Sequence, residues 1–192
     1  HPIAVVNYHN VRGMMSLEME STMQATLDPL RWARFYAAMK HGTQMYAAGH
    51  SYTYHLKCVE LVLRRFGVND ISMLEAAWLH DVIEDTRGKL GQVKRKDIAE
   101  MFGERTADLV TAVTNDATPD HVARTARTYP RIRACPGAVM LKLADRIANV
   151  SEGRDPDGKY AAEHEDFYRA LHTAGEHEDM WAELDTLLGV KR

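Results

Sequence analysis

The chain has little of what anchors or staples several large classes of protein. Two cysteines, Cys58 and Cys135, in 192 residues make no disulfide framework and fit a reducing compartment, so a cytoplasmic location is expected. No apolar run approaches the roughly 20 residues that cross a bilayer. The start lacks the basic region and long apolar stretch of a secretory signal. No membrane association is expected. Neither sign of charge dominates: 24 Lys plus Arg stand against 27 Asp plus Glu, a formal net charge of −3. That balance argues against a protein that coats nucleic acid, and no nucleic-acid partner is expected. No segment alternates apolar and polar residues with period two, and nothing repeats at a fixed spacing. What is present is a length suited to one domain with its own core. Apolar residues make up 45%, and there are ten histidines, whose neutral imidazole is the commonest metal ligand.

His1 is no ordinary translation start, and residues 1–23 show no clean period. They read as an N-terminal extension, part of it left from processing, ahead of a domain at 24–192. Helical spacing begins after Asp28-Pro29, an N-cap followed by proline at the first helical position. Leu30, Ala33, Ala37 and Met39 carry it to about Lys40. Residues 42–52 read as a loop loosened by Gly42 and Gly49. A second helix spans about 53–66 and stops at Gly67. Asp70 or Ser72 caps a third, LEAAWLHDVIED, and Gly103 ends a fourth over 94–101. A fifth covers 104–114. Residues 115–136, polar and broken by Pro119 and Pro130, read as loop. Pro136-Gly137 opens the apolar sixth helix, AVMLKLADRIANV. Two closing helices cover about 160–173 and 176–188, the last packing through Trp181, Leu184 and Leu187-Leu188. The fold class is all-α, one helical bundle of about seven or eight helices, with a core at 30–150.

Chemistry concentrates in the third helix, at Leu79-His80-Asp81-Val82-Ile83-Glu84-Asp85. At about 100° per residue, His80, Asp81, Glu84 and Asp85 fall within an arc of about 140°. Adjacent ionisable groups on a buried face need compensating positive charge, which a divalent cation supplies. A solvated acidic helix end is the plainer alternative. Asp145 lies among Val139, Met140, Leu141, Leu143, Ala144 and Ile147. An aspartate so flanked needs a metal or a partner, with Lys142 and Arg146 as candidates. His55 opens the second helix. Two histidines and two aspartates form an N/O donor set suited to Mn, Fe or Zn.

The order His55 … His80-Asp81 … Asp145 resembles the HD superfamily of metal-dependent phosphohydrolases. Within it, the chain is most similar to the RelA/SpoT-type alarmone hydrolases and their small stand-alone relatives. AAMKHGTQMYAAGHSYTYH (37–55), LEAAWLHDVIEDT (74–86), FGERTADLVTAVTNDAT (102–118) and PGAVMLKLADRIANV (136–150) carry the resemblance. It implies a single HD-domain bundle with His55, His80, Asp81 and Asp145 as metal ligands. Glu84 and Asp85 would be the acidic pair that handles water and protons. Lys142 and Asn149 would lie near the substrate's phosphates and ribose, and Tyr52 would face the pocket. The implied cofactor is a divalent metal, Mn2+ first, with Fe2+, Mg2+ or Zn2+ as alternatives. Three positions depart from the pattern. Tyr46-Ala47 stands where the alarmone hydrolases carry an Arg-Lys pair that packs on guanine. Ser51 and Leu56 stand where they carry prolines. Tyr46 is open to two readings, a base-stacking residue or ordinary packing.

The implied reaction is metal-assisted attack of water at phosphorus, releasing 3′-pyrophosphate from guanosine 3′,5′-bis(diphosphate). Lys142 and Arg146 would meet the phosphate charge. Arg124, Arg127, Arg131 and Arg133 would either join them or decorate a solvated loop. Lys159-Tyr160 is placed to close over the pocket. His164, His172 and His177 read as surface histidines on acidic helices. The partner expected is a small nucleotide or phosphoester, with a homo-oligomer left open. Two other readings compete: a phosphodiesterase or phosphomonoesterase of broader specificity, and a nucleotide-binding module without turnover. The retained Glu84 and Asp85 argue against the last, since binding alone has no need of them.

Overall fold

The computed structural model of the chain describes residues 29–46, 49–118, 120–153 and 157–191. The N-terminal extension and the Asp28 cap lie outside the described residues. Ten helical segments follow one another: α1 (Pro29–His41), α2 (Tyr52–Arg65), α3 (Ile71–Leu79), α4 (Val82–Asp85), α5 (Arg95–Phe102), α6 (Glu104–Val113), α7 (His121–Ala134), α8 (Ala138–Ser151), α9 (Lys159–Leu171) and α10 (Glu178–Leu188). The only extended pairing among the described residues is an isolated bridge between Met45 and Ser51. No described helix is long and apolar enough to cross a membrane. The all-α expectation is met.

Three helices form the centre. The side chains of α3 from Met73 to Leu79 are all buried, and α1, α2 and α6 pack around it. Helix α2 turns Tyr52, His55, Leu56, Val59, Glu60, Val62 and Leu63 inward, a stripe at helical spacing. Helix α8 buries nine of its residues and packs on α2, α6 and α10. The ends follow local rules. The Asp70 side chain accepts from the Met73 N–H at 3.2 Å and caps α3. Gly67 at φ 82° closes α2. Gly137 at φ 82° opens α8, where a Cβ would come within 2.7 Å of Met73 Cε.

Several sequence expectations need correction. The helix expected through His80-Asp81 is two helices, because Asp81 adopts φ −100°, ψ −7° and tilts α4 away from α3. His80, Asp81, Glu84 and Asp85 are therefore not consecutive positions of one regular helix. Residues 121–134 are helix α7, not loop, with Pro130 inside it. The Asp120 carboxylate accepts from the Val122 N–H at 3.1 Å, and buried Thr128 and Ile132 anchor the helix. Both the cap and the buried pair outweigh the proline. Met39, placed in the apolar pattern of α1, is 41% exposed, and Tyr36 takes the buried position instead.

The C-terminal pair α9 and α10 packs Phe167 against Trp181, with ring centroids 5.3 Å apart. His164 is buried, not a surface histidine, and its Nε2 lies 2.5 Å from Asp185 Oδ1. His172 and His177 are half-buried, and His172 contacts Glu178 at 3.2 Å.

Candidate metal centre and its cavity

Helices α2, α3–α4 and α8 converge on a cavity of about 410 Å³. Tyr52, His55, Asp81, Glu84, Asp85, Asn115, Lys142, Asp145, Asn149, Lys159 and Tyr160 line it. His55, His80 and Asp145 each offer a donor atom, all within 4.8 Å of one another, in a cluster able to hold a metal ion. His55 Nε2 is 3.2 Å and His80 Nε2 3.6 Å from Asp145 Oδ1. Asp81 Oδ2 adds a second carboxylate, 3.0 Å from His80 Nε2 and 4.0 Å from His55 Nε2.

The donor set passes a chemical test for a cation. Both Nε2 atoms are buried and make no aligned hydrogen bond among the described residues. The Ala77 carbonyl lies 2.9 Å from His80 Nδ1, so that nitrogen donates and leaves the Nε2 lone pair facing the carboxylates. Burial pulls the His80 pKa down, but Asp81 and Asp145 outweigh it and raise it well above the ordinary histidine value. The cluster therefore draws positive charge to the point where the donors converge. A divalent ion fits that demand as a proton does.

Each carboxylate is held from outside. Asn149 Nδ2 donates to Asp145 Oδ1 at 2.7 Å, and Lys142 Nζ donates to Asp145 Oδ2 at 2.7 Å. Burial pushes the Asp145 pKa up, and Lys142, His55 and His80 hold it well below its usual value. The Tyr52 hydroxyl donates to Asp81 Oδ2 at 2.5 Å. Burial and the adjacent Asp81 raise the phenol's pKa, so it stays a donor.

Glu84 and Asp85 flank the cluster on α4. The Asn115 N–H donates to Glu84 Oε2 at 3.0 Å. Burial raises the Glu84 pKa above the ordinary carboxyl value. Gln44 Nε2 donates to Asp85 Oδ2 at 2.8 Å, with His41 Nδ1 3.4 Å from the same oxygen. His41 is buried and stacks on Tyr52 at 4.5 Å. His41, Gln44 and Asn115 were not among the residues singled out from sequence. His41 and Gln44 stand inside the 37–55 motif and Asn115 inside the 102–118 motif, but none belongs to the ligand or acidic pattern that marks the site.

Of the residues expected at the substrate, Tyr52, Lys142 and Asn149 line the cavity, and so do Lys159 and Tyr160. Tyr46 and Arg146 do not. Tyr46 is 6% exposed, with its ring stacked on His55 at 4.9 Å and its hydroxyl donating to Asn149 Oδ1 at 3.1 Å. Arg146 is buried under Tyr160 and Phe167, with Nη2 donating to Glu163 at 3.0 Å. The arginines of α7 stay outside the cavity as well. Arg131 donates to the carbonyls of Ala112 and Thr114, and Arg133 to that of Ala170, tying α7 to its neighbours.

The HD domain family matches residues 33–190, and the chain belongs to it. Among individual relatives, the guanosine-3′,5′-bis(diphosphate) 3′-pyrophosphohydrolase of Aquifex aeolicus is 34% identical over 119 residues, 60% of this chain and 16% of that protein. The human protein of the same activity name, MESH1, is 32% identical over 121 residues, 61% of this chain and 65% of that one. The GTP pyrophosphokinase rsh of Brucella ovis is 30% identical over 169 residues, 82% of this chain and 22% of that protein. The chain thus spans less than two thirds of the length of each. The solved structure of a metazoan SpoT ortholog that hydrolyzes ppGpp matches with a TM-score of 0.71 at 23% identity, over 85% of this chain and 95% of that one. At that identity the likeness speaks for the fold.

Proposed function

We propose that the chain is a divalent-metal-dependent phosphohydrolase that removes the 3′-pyrophosphate of guanosine 3′,5′-bis(diphosphate). The observation that carries this is the convergence, in one cavity, of two imidazoles and two aspartates beside the Glu84-Asp85 pair. The activity names of relatives at 32–34% identity support the substrate.

His55, His80, Asp81 and Asp145 are the proposed ligands, and Mn2+ is the ion we favour for this N/O set over Fe2+, Mg2+ or Zn2+. Such an ion supplies Lewis-acid polarisation of a phosphoryl oxygen and makes water a better nucleophile near neutral pH. Glu84, with a raised pKa, takes the proton of the attacking water, and Asp85 holds that water in line. Water oxygen bonds to the phosphorus on ribose O3′, the O3′–P bond breaks, and O3′ takes up the proton that Glu84 removed from the water. The products are GDP and pyrophosphate. Lys142, held in its charged form beside Asp145, meets the phosphate charge. Lys159, Tyr160, Asn115 and Asn149 line the space that the nucleotide would fill.

A phosphoesterase of broader specificity is the second reading. One observation favours it: Tyr46 is buried and offers no face to a base. A manganese-supplemented panel of the bis(diphosphate), ordinary nucleotides and simple phosphate esters separates the two, with Asp81→Ala as the blank. Preferential, Asp81-dependent release of pyrophosphate is expected. Cleavage of other esters with the bis(diphosphate) untouched would discard the substrate. Nucleotide-induced stabilisation without any turnover would make the domain a binding module.

A further inference from the structure

Tyr46 sits in the loop between α1 and α2, on a short antiparallel turn. Its N–H donates to the His50 carbonyl at 2.7 Å, and the Tyr52 N–H donates to the Gln44 carbonyl at 3.0 Å. That turn folds the Tyr46 side chain inward. The ring lies nearly parallel to His55, 17° between planes, and packs edge-on against Tyr52 at 6.1 Å. The hydroxyl ends on Asn149, 103 residues further along the chain.

The direction of that hydrogen bond matters. Asn149 Oδ1 accepts from Tyr46, so Nδ2 points the other way and donates to Asp145 Oδ1 and to the Asp145 carbonyl, at 2.7 and 3.0 Å. Turning the amide over would aim Oδ1 at the Asp145 carboxylate, oxygen against oxygen. The two Asp145 acceptors set that amide orientation, and the Tyr46 hydroxyl, donating to the Oδ1 left facing it, anchors the amide there. The oxygen so held faces both imidazole Nε2 atoms. One side chain thus touches two of the proposed ligands, His55 by its ring and Asp145 by a relay through Asn149. Outer partners of this kind fix ligand orientation, and their loss costs on the order of 10–100-fold in metal affinity.

We propose that Tyr46 is a positioning residue of the metal centre and not a substrate contact. The inference rests on the assignment of the ligands under the proposed function, and is independent of which phosphoester is cleaved.

The test is Mn2+ binding by calorimetry, together with the visible absorption of the Co2+-loaded protein, on the wild type and Tyr46→Phe. Phenylalanine keeps the ring against His55 and removes only the donor. The expected result is a Mn2+ Kd raised about 10-fold and an altered Co2+ band. Metal-free melting should fall only by the few degrees that one buried hydrogen bond is worth, and KM at saturating Mn2+ should change far less than the Mn2+ Kd. A second pair keeps the test decisive if Tyr46→Phe folds poorly: in an Asn149→Ala background, Tyr46→Leu should weaken Mn2+ only through the ring. Its penalty should therefore be smaller than that of Tyr46→Leu alone. An unchanged Kd and Co2+ band, or a changed KM with unchanged metal binding, overturns the proposal. Tight Mn2+ binding with no hydrolysis of any ester would leave the Tyr46 role intact and remove the proposed activity. Absence of any divalent-metal binding would remove both.

Discussion

Glu84 differs from its neighbours in how its charge is supported. Asp81 and Asp145 face imidazoles, and Asp145 also faces Lys142, whereas Glu84 has the Asn115 N–H and a desolvating cavity wall. Burial lets its carboxyl hold a proton to higher pH than usual, which makes its ionised form a stronger base than an ordinary carboxylate. The sign follows directly: the ionised form accepts the proton, so turnover falls as pH drops through the raised pKa. Glu84→Gln should retain Mn2+, lower kcat by roughly 10²–10⁴-fold, and abolish that acid limb of the pH–rate profile. A wild-type kcat in Glu84→Gln would show that the proton goes elsewhere. At this scale the residues brought together at the centre were those with a distinctive local setting. His80-Asp81 before an acidic pair, and Asp145 in an apolar helix, announce themselves. Tyr46 was ambiguous because a loop residue's direction is set by long-range contacts, here with His55 and Asn149.

Among elements, the helices with strong apolar periodicity were legible, and the misreadings have two physical causes. The break between α3 and α4 is a dihedral change at Asp81 that composition does not signal, since the pattern LEAAWLHDVIED runs through it. Helix α7 was hidden by a proline and a low apolar content, and to its Asp120 cap and its buried Thr128 and Ile132 it adds bonds from Arg131 and Arg133 to carbonyls on other elements. Pro130 then sits in a helix it weakens, unable to donate to the turn before it. Pro130→Ala should stabilise the fold by about 1–3 kcal/mol, read as a higher melting temperature. A lower one would show that the bend aligns those arginines. Glu60 ties three elements in another way. Its carboxylate accepts from Arg34 at 2.8 and 2.9 Å, from Arg64 at 2.6 Å and from Trp78 Nε1 at 2.7 Å, linking α1, α2 and α3. Burial pushes its pKa up, and these donors together bring it below the ordinary value. A lowered carboxyl pKa adds stability above the unfolded value of about 4.3, lost as pH falls through the folded value. Glu60→Gln should cost about 2 kcal/mol near pH 7, and the gap to wild type should narrow below about pH 4. A gap independent of pH would mean that shape, not charge, is what Glu60 supplies.

In the whole molecule, the proposed ligands come from α2, the α3–α4 junction and α8, segments separated by 25 to 90 positions and packed around one core. The unfolded chain cannot gather them, so an ion that binds there binds the folded state alone and adds RT ln(1 + [M]/Kd) to its stability. At 100 times Kd this is about 2.7 kcal/mol, or roughly 5–10 °C in a domain of this size. Mn2+ should therefore raise the melting temperature of wild type by that amount. Asp145→Ala should abolish the rise, because the carboxylate oxygen 3.2 and 3.6 Å from the two imidazoles is gone. Glu84→Gln should keep it in full, because Glu84 is proposed to move protons and not to hold the ion. An equal shift in all three proteins would place the metal outside this cavity. A shift lost in Glu84→Gln and kept in Asp145→Ala would exchange the roles of the two carboxylates.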